Sequence, residues 1–197
     1  MKKIVYILTA AVLALTACNK TDNNQPVKTQ EFIVNSTSST DWKYFSFDRN
    51  DTVAISNPAT STEWDLAFQR YRIKTNGGKS GSGEGSAANS YRKMEAGFDS
   101  LTVVPDTTTF ATDDSLKIAV QQGYATYIVN PRLYSWFSLE FTDTGTQLVP
   151  TDYIYIVKTA TGKYAKVWFK SYYSPTNISG YVTFEYKYQP DGTKNLK

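Results

Sequence analysis

Large apolar residues recur at every second position through much of this chain. Trp64, Leu66 and Phe68 alternate with Asp65, Ala67 and Gln69; Ala165, Val167 and Phe169 alternate with Lys166, Trp168 and Lys170; Val182, Phe184, Tyr186 and Tyr188 alternate with Thr183, Glu185 and Lys187. Successive side chains on a strand point to opposite faces, so this period specifies antiparallel strands with one buried and one wet face. The 15 Tyr, 10 Phe and 4 Trp favour the same pleated surface. Further strands are expected at 32–35, 42–47, 53–56, 101–104, 134–142 and 153–159, with Ala160-Thr161-Gly162-Lys163 as a hairpin turn. The expected fold class is all-β, a single antiparallel sandwich or curled sheet.

Two segments depart from the period. Over 113–122, Asp113 or Thr112 could cap a helix that shows Leu116 and Val120 on one face and ends at Gly123. Leu116, Ile118 and Val120 also alternate, so a strand fits equally well. From Asn76 to Ala88 the chain carries five glycines in thirteen residues. Gly78-Lys79-Ser80 matches the end of a phosphate-binding loop, but Ile73 stands where that motif needs glycine, which excludes it. The segment reads as a mobile surface loop or one that folds over a ligand.

The amino terminus carries an address. Lys2 and Lys3 precede an apolar run, Ile4 to Leu15, of signal-peptide length, short of the roughly 20 residues a bilayer-spanning helix requires. Leu15-Thr16-Ala17-Cys18 resembles a bacterial lipobox, which implies cleavage before Cys18 and acylation of that residue. The expected organisation is a signal peptide over 1–17, lipidated Cys18 with a polar tether to residue 30, and a β domain over 31–197. The tether (NKTDNNQPVKTQ) lacks periodicity and gives the domain reach. Several acyl chains would hold the protein on a membrane, because one alone binds only marginally.

Composition then narrows function. There is no histidine and one cysteine, which excludes Ser-His-Asp and Cys-His catalysis, His-ligated metal and an internal disulfide. Loss of Lys2 and Lys3 lowers the formal net charge from +3 to +1, and no basic run remains, so nucleic acid is not an expected partner. Adjacent carboxylates such as Asp113-Asp114 do not make an acid/base pair, and an enzyme is not expected.

Several blocks carry a resemblance. Trp42-Lys43-Tyr44-Phe45-Ser46-Phe47, Trp64-Asp65-Leu66-Ala67-Phe68-Gln69-Arg70-Tyr71 and Lys74-Thr75-Asn76-Gly77-Gly78, followed by Ser138-Leu139-Glu140-Phe141, Gly162-Lys163-Tyr164-Ala165-Lys166-Val167-Trp168-Phe169 and the closing Gly180–Tyr186 strand, resemble the HmuY family. These are haem-binding lipoproteins (haemophores) of Bacteroidetes, and the likeness runs from about residue 40 to residue 188. It implies a hand-like β domain anchored at the outer membrane, on the cell surface. Haem would lie between two hairpins and pass to a TonB-dependent outer-membrane receptor.

The resemblance fails at the iron. The founding member holds haem with two histidines; here Thr142-Asp143 stands after the Leu-Glu-Phe block, and the second histidine's hairpin, around 120–132, looks shortened. Paired methionines, the alternative implied for some relatives, are excluded because only Met94 remains after processing. Three readings stay open: a single ligand from Met94 or from Tyr124, Tyr127 or Tyr134; a haem or other porphyrin held by aromatic stacking, with Arg132 or a lysine near its propionates and Asp143 at the pocket; or a different cargo on the same fold. The competing function is a cell-surface glycan- or protein-binding module that has lost haem ligation.

Overall fold

A computed structural model describes residues 27–197 apart from Gln121 and Thr144. The signal segment, Cys18 and most of the tether lie outside the described residues. Val27 donates its N–H to the carbonyl of Lys197, and Gln30, counted with the tether, already opens the first strand.

The elements in order are β1 (Gln30–Asn35), β2 (Lys43–Ser46), β3 (Asp51–Val53), β4 (Leu66–Gln69), β5 (Arg72–Thr75), β6 (Ser86–Lys93), α1 (Met94–Ser100), β7 (Asp114–Val120) and β8 (Gly123–Val129). There follow a 3-10 turn (Leu133–Trp136), β9 (Phe137–Thr142), β10 (Gly145–Pro150), β11 (Tyr153–Lys158), β12 (Tyr164–Tyr173) and β13 (Ser179–Gln189). A five-stranded antiparallel sheet runs β1-β13-β12-β11-β6 and a four-stranded one β3-β2-β4-β5, while β7-β8 and β9-β10 stand as separate hairpins. The all-β reading therefore holds.

The alternating residues do what their period requires. Val182, Phe184, Tyr186 and Tyr188 of β13 all face the core. Phe184 stacks on Phe68 of β4 at 5.5 Å and meets Phe45 of β2 edge-on at 5.2 Å, so the two larger sheets share one aromatic core. Such pairs add about 0.5–1.5 kcal/mol each beyond the area they bury.

Within the ambiguous run, Asp114–Val120 form a strand. Leu116, Ile118 and Val120 register with Tyr127, Ala125 and Gly123, and Gly123 takes the positive φ (+95°) that leaves the hairpin turn rather than ending a helix. The helix present is α1, in a segment without a helical signature. Residues 101–104 form no strand beyond a single bridge from Val103 to Asn195.

The glycine-rich loop is a pinned structure, not a free one. Asn76 is fully buried; its Nδ2 donates to the carbonyls of Ser61 and Trp64 at 2.8 Å each, and its Oδ1 accepts from the N–H of Gly83 at 3.2 Å. A Cβ on Gly77 would stand 2.0 Å from the Gly85 carbonyl oxygen. The glycines permit this crossing of two backbones, a packing role and not a phosphate-binding one.

The other face of the five-stranded sheet holds a second core, where Phe98 of α1 with Leu101 and Val104 covers Ile154 and Ile156. Lys166, expected on a wet face, is 0% exposed there. Its Nζ donates to the carbonyls of Phe98 and Leu101 at 2.5 and 2.9 Å, closing the end of α1. Burial pulls its pKa down from 10.5 to about 8, with Lys187 adding to the effect and Asp99 and Glu185 opposing it. The unfolded chain keeps that proton up to about pH 10.5 and the fold releases it near 8, so this group makes stability rise as pH climbs between the two. Denaturant melts should show that Lys166→Met flattens the stability-versus-pH curve by on the order of 2–3 kcal/mol across that window. Parallel curves for the two proteins would contradict the buried ammonium.

Candidate functional site

The residues best arranged for a ligand sit on the outer face of the four-stranded sheet. Registering Phe68 with Ile73 and Leu66 with Thr75 sends those four inward. The same pleat sends Ala67, Gln69, Arg72 and Lys74 outward. The β7-β8 hairpin lies against this face: Asn130, just past β8, donates its N–H to Ile73 O at 3.0 Å, and Tyr127 of β8 stacks on the Arg72 guanidinium, 4.1 Å from ring centre to Cζ.

The hairpin is held by a buried carboxylate. Asp113, at the foot of β7, accepts the Thr75 N–H at 3.0 Å, the Thr75 hydroxyl at 2.6 Å and the Asn130 amide at 3.1 Å. Burial raises its pKa, and the Thr75 and Asn130 donors oppose that rise. A residue read as a helix cap thus locks both legs of a hairpin to β5.

Tyr71, in the turn between β4 and β5, begins an aromatic floor. Its ring lies 5.1 Å from Phe137, 6.4 Å from Tyr172 and 6.5 Å from Tyr134. Tyr134 and Phe137 are 5.5 Å apart. Trp136 anchors the turn by donating its indole N–H to Tyr71 O at 2.9 Å. Burial lifts the Tyr134 phenol above its usual pKa, with Tyr71 and Tyr127 adding and Arg72 opposing. The floor therefore runs from β5 to the root of the β9-β10 hairpin, which carries Leu139 and Phe141 outward, Phe141 at 86% exposure.

Arg72 is the electrostatic centre. It is only 7% exposed, its Nε is buried without a partner, and its guanidinium has no ion pair or hydrogen bond among the described residues. Lys74, two residues along the same face, stacks on Trp42 at 4.1 Å and is likewise outside any ion pair described. Burial lowers the Lys74 pKa, opposed by Asp113. A buried cation without a carboxylate carries an uncompensated desolvation cost, and the arrangement attracts a planar apolar anion.

The residues singled out from the sequence divide. Tyr134 belongs to this floor, and Tyr127 stacks on Arg72. Tyr124 is exposed on the hairpin's outer face beside Lys117. Met94 is 57% exposed at the start of α1, its N–H bonded to Asp152 O, and Asp143 is exposed at the tip of the β9-β10 hairpin, about 20 Å of strand from that hairpin's root near Asp152. Arg132 lines a different cleft, with Asn89 and Thr108. Arg72, Lys74 and Tyr71 were missed because only the pairing of β4 with β5 and the hairpin above it reveal their common face.

Among the described residues no group of three His, Cys, Asp or Glu could hold a metal ion. The floor offers phenols as its only classical iron donors, so its donor set fits a porphyrin gripped by rings and cations and does not fit a bis-His or bis-Met haem.

If Arg72 is held for a ligand and not for the fold, its removal should not harm the fold. Arg72→Met should leave stability unchanged or raise it by about 1–2 kcal/mol, because the apolar chain keeps the packing without the charge. A loss above about 1 kcal/mol in chemical denaturation would assign Arg72 to structure.

Comparison with known proteins agrees with the fold. None of the curated proteins matches the sequence. Among solved structures, a protein of Bacteroides fragilis assigned as a lipoprotein is 23% identical, with TM-score 0.61 over 82% of this chain and 91% of that one. A Bacteroides vulgatus protein assigned as HmuY-like and haem-binding is 18% identical, with TM-score 0.61 over 81% and 91%. The apo form of a Tannerella forsythia HmuY analogue is 18% identical, with TM-score 0.63 over 84% and 98%. At these identities the likeness is one of fold. The family model described as HmuY protein matches residues 38–186, from just before β2 into β13, and this chain belongs to the HmuY family.

Proposed function

We propose that this chain is a lipid-anchored protein of the outer-membrane surface that binds haem or a related porphyrin for uptake, without paired histidine ligands. The observation that carries the reading is the buried, unpaired Arg72 stacked on Tyr127 above the Tyr71–Tyr134–Phe137 floor. A porphyrin is a flat apolar disc with two carboxylates. Arg72 and Lys74, about 7 Å apart along one strand face, supply the two cations, and the rings supply the apolar contact. When bound, the haem iron would bring redox and ligand-binding chemistry; this chain's part is to stack, to neutralise the propionates and to exclude water. The phenols of Tyr127 and Tyr134 would be the groups at hand to hold the iron. Met94, Tyr124, Asp143 and Arg132 lie outside this arrangement.

Membership of the HmuY family supports haem as cargo. The lipobox-like segment ending at Cys18 supports anchoring, and among the described residues no helix is long and apolar enough to cross a membrane. The chain acts as a carrier and not an enzyme, delivering its cargo to an outer-membrane receptor of the TonB-dependent kind.

Haemin added to the purified protein should give a shifted Soret band that saturates at a single equivalent. Tyr127→Ala and Arg72→Met should each weaken binding about tenfold or more, and Met94→Ala should leave the spectrum unchanged. Metal-free protoporphyrin should bind within about tenfold of haemin, because stacking and charge do most of the holding. A Soret band that stays at the position of free haemin, ferric and ferrous alike, rules the reading out.

A further inference from the structure

Another cleft, of about 260 Å³, shares none of its lining residues with the aromatic floor. The edge strand β6 gives it Asn89 and Tyr91, the segment after α1 gives it Thr107, Thr108 and Thr109, and Arg132 closes it, with Ile156 at its base. None of these residues belongs to the porphyrin site proposed above.

Its chemistry is one-sided. No Asp or Glu lines the cleft, and Arg132 enters none of the ion pairs among the described residues. The Asn89 side-chain oxygen is committed to the Tyr91 N–H at 2.6 Å, which leaves its Nδ2 to donate into the cleft. The three threonine hydroxyls, able both to donate and to accept, have no protein partner among the described residues. Tyr91 stands at the rim, 76% exposed, with φ +58°, a conformation that a bulky L residue rarely adopts. Strain of this kind persists where the surroundings fix it, and here Asn89 fixes it.

A single guanidinium without a counter-ion selects one carboxylate. A ring of hydroxyl and amide groups selects a ligand that is itself polyhydroxylated. An exposed phenol ring at the rim offers a flat apolar surface to the CH face of a pyranose. The volume lies below the roughly 300–1,000 Å³ of sites for drug-sized ligands, which suits one sugar ring and excludes a porphyrin. We propose that this cleft binds a single carboxylate-bearing sugar residue, the terminal uronic or sialic acid of a glycan. The protein then has two sites: one for its cargo, and one through which it is retained at an acidic glycan.

The test uses ligand-observed NMR and calorimetry on the purified full chain, with glucuronic acid, glucose and acetate as probes. Glucuronic acid should bind about tenfold or more tightly than glucose or acetate. Arg132→Gln should remove the advantage over glucose and leave both the melting temperature and the haemin titration unchanged, and Tyr91→Ala should weaken both sugars. Thr108→Val, which keeps the Thr108 N–H to Pro105 O bond, should weaken both sugars with the fold intact. The proposal is overturned by no binding of glucuronic acid, by acetate binding as tightly, or by Arg132→Gln with glucuronate affinity unchanged. Equal losses of haemin and glucuronate in Arg132→Gln would overturn it too, by placing Arg132 in the porphyrin site. A failed haemin titration with glucuronate binding intact would leave this site standing alone.

Discussion

Asp113 shows how a thin sandwich can hold an outlying hairpin still. A two-stranded hairpin is at best marginally stable by itself, and β7-β8 is registered to no third strand. Its position comes from one carboxylate sealed at its foot, which collects the backbone N–H and hydroxyl of Thr75 and the amide of Asn130. Each of these donors would be costly to bury unmet, as would the carboxylate without them. The group is therefore all or none, and that sets the hairpin at one angle. Asp65 works in the same way deeper in the fold, accepting the N–H groups of Phe47 and Ala160 at 2.9 and 3.0 Å. Apolar contact brings the sheets together; these carboxylates decide where the chain between them runs.

That placement has an electrostatic consequence. With the hairpin fixed, Tyr127 covers Arg72 and takes water from it, and a guanidinium in that setting is worth far more to an arriving carboxylate than one on an open surface. The fold bears the cost of dehydrating Arg72 in advance, and a ligand recovers it. Tyr127 offsets part of that cost through its ring face, so the site stays formed while empty. The same logic excludes cationic or neutral planar ligands, which would cover Arg72 and leave its charge unmet.

How much of this was legible in the sequence follows from the range of the forces involved. Alternation at period two identified the faces of β4, β12 and β13, because burial on one side of a strand is written locally. It misjudged Lys166, whose wet face becomes a second core only once α1 and residues 101–104 fold back over it. The run at 113–122 was ambiguous because Leu116, Ile118 and Val120 satisfy two templates; the partner strand 123–129 decided between them, and pairing is not a local property. The glycine-rich stretch was recognised as unusual but read as a mobile loop or one that folds over a ligand, since nothing in its composition reveals that Gly77 and Gly85 cross in contact. The site itself was half visible. Tyr127 and Tyr134 were among the candidates, whereas Arg72 was not, and only the hairpin over it makes it exceptional. Arg132 was noticed for its charge, and the structure turns that charge toward another cleft.

The proposed porphyrin site, which needs no paired iron ligands, is consistent with the same architecture. Among the described residues of the two hairpins, only Ile118, Val129 and Leu148 are deeply buried apolar residues. Ser138, Leu139, Glu140, Phe141 and Asp143 of the β9-β10 hairpin are exposed and contribute little to folding. Substitutions there are nearly free of stability cost, so iron ligands on these hairpins can be exchanged or lost while the sandwich stays unchanged. The floor is different. Tyr71, Trp136 and Tyr172 serve the main core as well as the site, and replacing them would damage both. Folding alone therefore constrains the stacking surface more tightly than the exposed hairpin positions, and in the proposed site that constrained part is the one that would recognise the porphyrin rather than the metal.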